Sequence, residues 1–169
     1  VGTYLETRFT GGRLSVKVSE TGTSYYNVFV DGKLHKVVKV CGTDTLIHLV
    51  SGIDKRIHSL KIQKRSEGEF GKTTIHQFVL SGSGRLAEEP AVRTRHIEFI
   101  GNSLTCGYGT DGKHRDEPFL VETENCNLTF ASMVARYYDA DYTLIAHSGR
   151  GAARNYGDSV RVSKVTMKD

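Results

Sequence analysis

The sequence predicts an antiparallel β-sandwich followed by the start of an α/β domain with a parallel sheet. Three observations carry this fold class. From Gly2 to about Gly84, short runs alternate apolar and polar residues between turn-forming residues, with no helical stretch among them. Ser81-Gly-Ser-Gly84 and Ala87-Glu-Glu-Pro90 then stop the alternation and read as a linker. After the linker, a strand, a loop, a helix and a second strand follow in the order that opens a parallel sheet. The expected division is residues 1–88 for the sandwich and 89–169 for the amino-terminal portion of the α/β domain.

Within the sandwich, Leu14, Val16 and Val18 share one face of a strand, because successive side chains point to opposite faces. Val28 and Val30 lead into Asp31-Gly32, a two-residue hairpin signal, and Leu34, Val38 and Val40 form the returning strand. Leu46 to Val50, Ile57 to Ile62 and Ile75 to Leu80 supply further strands. In the second half, His96 to Ile100 and Tyr142 to Ala146 are the two strands, and Asn125 caps a helix running to about Tyr138. Along that helix Leu128, Ala131, Ala135 and Tyr138 follow one face, while Phe130, Val134 and Tyr137 widen it. This pattern predicts heavy burial.

Composition excludes several classes. The chain has 169 residues, of which 38% are hydrophobic and 25% charged, as in a globular protein. It has no run of ~18 apolar residues that could span a membrane. Nothing at Val1 resembles a signal peptide, which leaves a trimmed start and a cytosolic origin both open. The net charge is +4, but Lys and Arg are scattered and form no basic stripe with interleaved aromatics, so no nucleic-acid partner is expected. With three cysteines, Cys41, Cys106 and Cys126, one thiol is always unpaired; a Cys106–Cys126 bridge and buried free thiols both remain open. No CxxC pair suggests zinc, and the histidines at 35, 48, 58, 76, 96 and 114 lack ligand-like spacing, so no metal is expected. Gly107-Tyr-Gly109 lacks the ending of a phosphate loop, and no other cofactor motif is present.

In an open parallel sheet, ligands gather at the carboxyl ends of the strands. Two loops lie there: Gly101-Asn102-Ser103 after the first strand and His147-Ser148-Gly149-Arg150-Gly151 after the second. A small, polar, glycine-bordered turn at such a point can expose a hydroxyl and bring backbone N–H groups close to a ligand.

The stretch Ile97-Glu-Phe-Ile-Gly-Asn-Ser-Leu-Thr-Cys-Gly-Tyr-Gly109 resembles the first block of the SGNH (GDSL-like) hydrolases. It is more closely similar to that of the two-domain acetyl xylan esterases of carbohydrate esterase family two. Asp141-Tyr-Thr-Leu-Ile-Ala-His-Ser-Gly-Arg-Gly-Ala-Ala-Arg-Asn155 resembles their second block. The family places a jelly-roll-like β-sandwich before the hydrolase domain. The resemblance implies that Ser103 is the nucleophile of an acyl-enzyme mechanism. Its own N–H and that of Gly151 would stabilise the oxyanion, with Gly149 as the alternative. His147 is expected to line the pocket or to act structurally, and Tyr108 to stack on a sugar or to pack the loop.

The sequence departs from the family pattern in two ways. Asn102 stands where the family usually has Asp, which implies altered hydrogen bonding with the chemistry retained. The family's third block and its late Asp-x-x-His, which supplies the base, do not occur within the 169 residues. The resemblance therefore implies the amino-terminal part of a longer enzyme, with the remainder of the hydrolase domain beyond Asp169. It further implies an acetylated polysaccharide or oligosaccharide such as xylan as partner, and a secreted, periplasmic or cell-surface location. The alternative is a non-catalytic carbohydrate-binding β-sandwich protein, against which the lack of tryptophan counts modestly.

Overall fold

The alternating runs become eight strands in two antiparallel sheets, in a computed structural model that describes all of residues 1–169. The strands are β1 (Tyr4–Thr10), β2 (Arg13–Glu20), β3 (Thr23–Val30), β4 (Lys33–Cys41), β5 (Thr45–Ser51), β6 (Ile57–Lys64), β7 (Thr73–Ser81) and β8 (Arg85–Leu86). One sheet has the order β4-β3-β6-β1-β8 and the other β5-β2-β7. Asp31 and Gly32, between β3 and β4, both have positive φ, the geometry that lets a two-residue turn follow the strand twist. Phe9, Val28, Leu60 and Ile62 from the first sheet and Leu14, Val16, Val18 and Leu49 from the second form one apolar cluster, so the two sheets are a sandwich as predicted. Strands β1 and β8 lie outside the runs singled out from the sequence.

His58, on β6, is a buried polar exception. Its Nδ1 lies 2.7 Å from Asp31 and its Nε2 3.0 Å from Asp54, so each ring nitrogen faces a carboxylate. The hydrogen bond to Asp31, then that to Asp54, raises the imidazole pKa against the opposing effect of burial. Asp31 is held low chiefly by its bond from His58, and Asp54 lower still by Arg56. A raised histidine pKa stabilises the fold fully below the ordinary value, and that contribution is lost as pH rises through the folded value. The stability difference between the wild type and His58→Gln should therefore be larger near pH ~5 than near pH ~9 in denaturant titrations. An equal difference at both would show that the cluster does not favour the imidazolium.

The chain divides into two units. The sandwich comprises Tyr4–Lys64 and Gly68–Val92, and the second unit comprises Arg93–Asp169 together with Val1–Thr3 and Arg65–Glu67. In the second unit β9 (His96–Gly101) and β10 (Asp141–Ala146) pair in parallel, with Gly101 opposite Ala146. The loops that follow them therefore leave the sheet at the same end. Two helices stand between the strands, α1 (Ser103–Cys106) and α2 (Phe130–Tyr137).

The helix expected from Asn125 onward is broken. Asn125 caps a 3-10 turn over Cys126–Leu128, and Thr129 then begins α2. The expectation of heavy burial also needs correction: Ala131 and Ala135 are fully buried, but Phe130, Val134, Tyr137 and Tyr138 are exposed, Tyr137 by 83%. Strands lie only about 5 Å apart. A two-stranded sheet therefore covers the narrow alanine face of a helix and little more. For the same reason Ile100 and Ile145, paired on the opposite face of the sheet from Phe99 and Leu144, remain half exposed.

Candidate active site

The turn after β9 is shaped by close approach. A Cβ on Gly101 would overlap Thr105 Oγ1, and one on Gly107 would overlap the Asn125 carbonyl. Gly107 also adopts φ 85° to end α1, where its N–H donates to the Ser103 carbonyl at 2.9 Å. Asn102 is the N-cap, its side-chain oxygen accepting the Leu104 N–H at 3.2 Å. Ser103 follows as the first helical residue, and neither its N–H nor its hydroxyl has a hydrogen-bond partner in the chain.

Ser103 opens onto a pocket of about 720 Å³, within the range usual for small-ligand sites. Asn102, Ser103 and Tyr108 line it from the first loop, and Ser148, Gly149, Arg150 and Gly151 from the second; Arg154 and Tyr156 complete the wall. The structure thus brings the two loops together. It leaves His147 outside the lining, with Nδ1–H donating to the Ser148 carbonyl at 2.8 Å. Tyr108 lines the pocket and also stacks on Phe119, with ring centroids 3.7 Å apart. Of the two glycines considered as oxyanion donors, Gly151 directs its N–H to Asn155 Oδ1 at 3.1 Å, while the Gly149 N–H has no acceptor in the chain. The lining holds two arginines and no carboxylate.

Behind the loops lie side chains that sequence reasoning missed. Arg65, 2% exposed, donates Nε–H to the Glu124 carbonyl at 2.7 Å and Nη2–H to the Glu122 carbonyl at 3.0 Å, and it pairs with Asp111. Buried Glu67 accepts both the N–H and the hydroxyl of Ser148, and its own N–H donates to Glu124 Oε2 at 2.8 Å. No local motif announces either residue, since their partners stand 46 to 81 residues away.

Glu67, Cys106 and Glu124 are also close enough to share a cation. Burial, and then the Glu67 carboxylate, push the Cys106 thiol far up in the metal-free protein. Both carboxylates are already bonded to backbone N–H groups, so the cluster reads as internal scaffolding. Cys126, likewise buried, has its thiol pushed up to about 12, and all three cysteines are free.

Comparison with known proteins agrees with this fold. The family described as carbohydrate esterase 2 N-terminal matches residues 1–90. The chain is 35% identical over 156 residues to the cellulase/esterase CelE of Acetivibrio thermocellus, covering 92% of this chain and 19% of that protein. It is 31% identical over 155 residues to an acetylxylan esterase / glucomannan deacetylase of Cellvibrio japonicus, covering 90% of this chain and 42% of that one. Among solved structures, a family two carbohydrate esterase from Clostridium thermocellum in complex with cellohexaose superposes with a TM-score of 0.88 at 34% identity, over 94% of this chain and 49% of that chain. The chain spans less than half the length of each of these relatives.

Proposed function

We propose, on the premise that this chain belongs to the carbohydrate esterase 2 family, that the whole protein is a serine esterase removing acetyl groups from plant polysaccharide such as xylan. One observation carries the reading: the unpartnered Ser103 shares a single pocket with the glycine-rich loop after β10. In the proposed reaction Ser103 Oγ attacks the acetyl carbonyl as a base takes its proton. The sugar hydroxyl then leaves with that proton, and water releases acetate from the acyl-enzyme. The Ser103 N–H and one glycine N–H stabilise the oxyanion. The engagement of Gly151 by Asn155 favours Gly149 as that glycine. The base is a histidine of the remaining hydrolase domain, expected beyond Asp169.

The relatives support the substrate class, since they are named as acetylxylan esterase / glucomannan deacetylase and as a carbohydrate esterase holding cellohexaose. A polymeric substrate also supports a secreted, periplasmic or cell-surface location, and the two packed antiparallel sheets support a jelly-roll-like sandwich. The second reading, non-catalytic glycan binding, rests on the pocket itself, which is lined by no histidine.

The 169-residue chain by itself is expected to hydrolyse acetate esters hardly at all, because base catalysis commonly contributes ~100 to 10,000-fold. Turnover of 4-nitrophenyl acetate should appear with the full-length protein or when the downstream polypeptide is added. Full activity in the chain alone, lost on His147→Ala, would make His147 the base. Glycan affinity without turnover in the full-length protein would favour the binding reading.

A further inference from the structure

We infer that Glu67 is a positioning residue for the oxyanion donor, acting through Ser148 on the peptide that carries the Gly149 N–H. The inference rests on the esterase reading above and adds a residue far from both sequence blocks.

The geometry of Ser148 carries it. Glu67 Oε2 accepts the Ser148 N–H at 2.8 Å, and Oε1 accepts the Ser148 hydroxyl. One carboxylate thus grips a single residue by its backbone and its side chain. On the other side of that residue, the Ser148 carbonyl accepts His147 Nδ1–H at 2.8 Å. The same peptide unit ends in the Gly149 N–H, which has no acceptor and lines the pocket with Ser103. With both the N–H and the C=O of Ser148 tied, the direction of the next N–H is set before substrate arrives. Gly149, at φ 81° and with open space where a Cβ would stand, is held on its far side by its own carbonyl, which accepts the Tyr156 N–H at 2.8 Å.

Glu67 is itself anchored. It is 2% exposed, its N–H is bonded to Glu124, and Arg65, two residues earlier, is bonded to the Glu124 carbonyl. A carboxylate offers an acceptor on each oxygen, one for each Ser148 donor. Glutamine keeps the size of the side chain but offers one oxygen, so one Ser148 donor would face an NH₂ group. Misplacing a preorganised donor weakens binding of the transition state more than binding of the substrate.

The test uses the full-length protein with acetylated xylo-oligosaccharide and with 4-nitrophenyl ethyl phosphonate, which becomes a tetrahedral adduct on the nucleophilic serine. Wild type should be labelled at Ser103; failure to label there would sink the esterase reading, independently of Glu67. Given labelling, Glu67→Gln should lower kcat by ~10 to 100-fold with KM changed less than ~3-fold, and should slow phosphonylation by a similar factor, since losing a whole donor costs ~100 to 1,000-fold. Wild-type kcat and labelling rate in a folded Glu67→Gln protein would overturn the proposal, as would a change confined to KM or to Tm. Ser148→Ala, which removes only the hydroxyl arm, should lower kcat several-fold, and the Glu67→Gln/Ser148→Ala double variant should be no worse than Glu67→Gln alone. Should Glu67→Gln fail to fold, an unchanged kcat in Ser148→Ala would overturn the proposal by itself.

Discussion

Replacing Ser103 with alanine in the full-length protein should abolish acetate release while leaving the fold intact. Loss of a nucleophilic serine typically costs at least ~10⁴-fold in kcat, because the remaining oxyanion donors and substrate contacts cannot supply an attacking group. The structural cost is small. The Ser103 hydroxyl has no partner in the chain, and Asn102, not Ser103, caps α1 through the Leu104 N–H. Acetate release from acetylated xylan, measured beside the melting temperature, separates the two effects. Near-normal turnover in a folded Ser103→Ala protein would move the nucleophile elsewhere and remove the main support for the esterase reading.

The second large effect is expected at Arg65, and it is one of stability. Arg65→Ala strips the Glu124 and Glu122 carbonyls of a donor and leaves Asp111 without its buried cation. Removing a buried cation that serves two carbonyls and a carboxylate one-third exposed should cost ~2–4 kcal/mol. The segment that Arg65 holds, from Asp111 to Cys126, packs beneath the first loop: Gly107 accepts the Asn125 N–H at 2.9 Å, and the Arg65 carbonyl accepts that of Cys126 at 3.3 Å. Arg65→Lys should recover only part of the loss, since an ammonium cannot reproduce three directed guanidinium contacts. Because the chain contains no tryptophan, tyrosine near-UV circular dichroism or NMR should follow unfolding in denaturant. A cost below ~1 kcal/mol for Arg65→Ala would place it among ordinary surface substitutions and refute the buried-anchor role.

These two residues differ in how they could have been found. Ser103 was legible because a strand of apolar residues ends in Gly-Asn-Ser, and because a second strand ends in a similar glycine-rich loop. Arg65 and Glu67 were not, since they stand in an unremarkable Lys-Arg-Ser-Glu stretch at the end of a sandwich strand. Their role depends on contacts 46 to 81 residues away in the chain.

The helix after Asn125 shows the opposite failure. Its apolar periodicity is real, but periodicity states only which residues share a face, and how much of that face is covered depends on what packs there. Ala131 and Ala135 are fully buried, whereas Phe130 meets the sheet only edge-on at Phe99 and Tyr137 stays exposed. The choice between Gly149 and Gly151 is similar. Both are glycines in the same loop, and only the placement of Asn155 beside the Gly151 N–H distinguishes them.

By itself, then, the sequence determined the sandwich, the parallel pair of strands and the loops at their shared end. Alternation with period two, turn chemistry such as Asp31-Gly32, and strand-to-loop transitions are written in neighbouring residues, where backbone sterics and burial act directly. The tertiary structure decided which glycine keeps a free N–H, which face of α2 is covered, and that Glu67 grips Ser148 across 81 residues of chain. Such contacts form only when the folded backbone brings distant donors and acceptors together in a low-dielectric interior, and a buried carboxylate is tolerated there only because its partners are already in place.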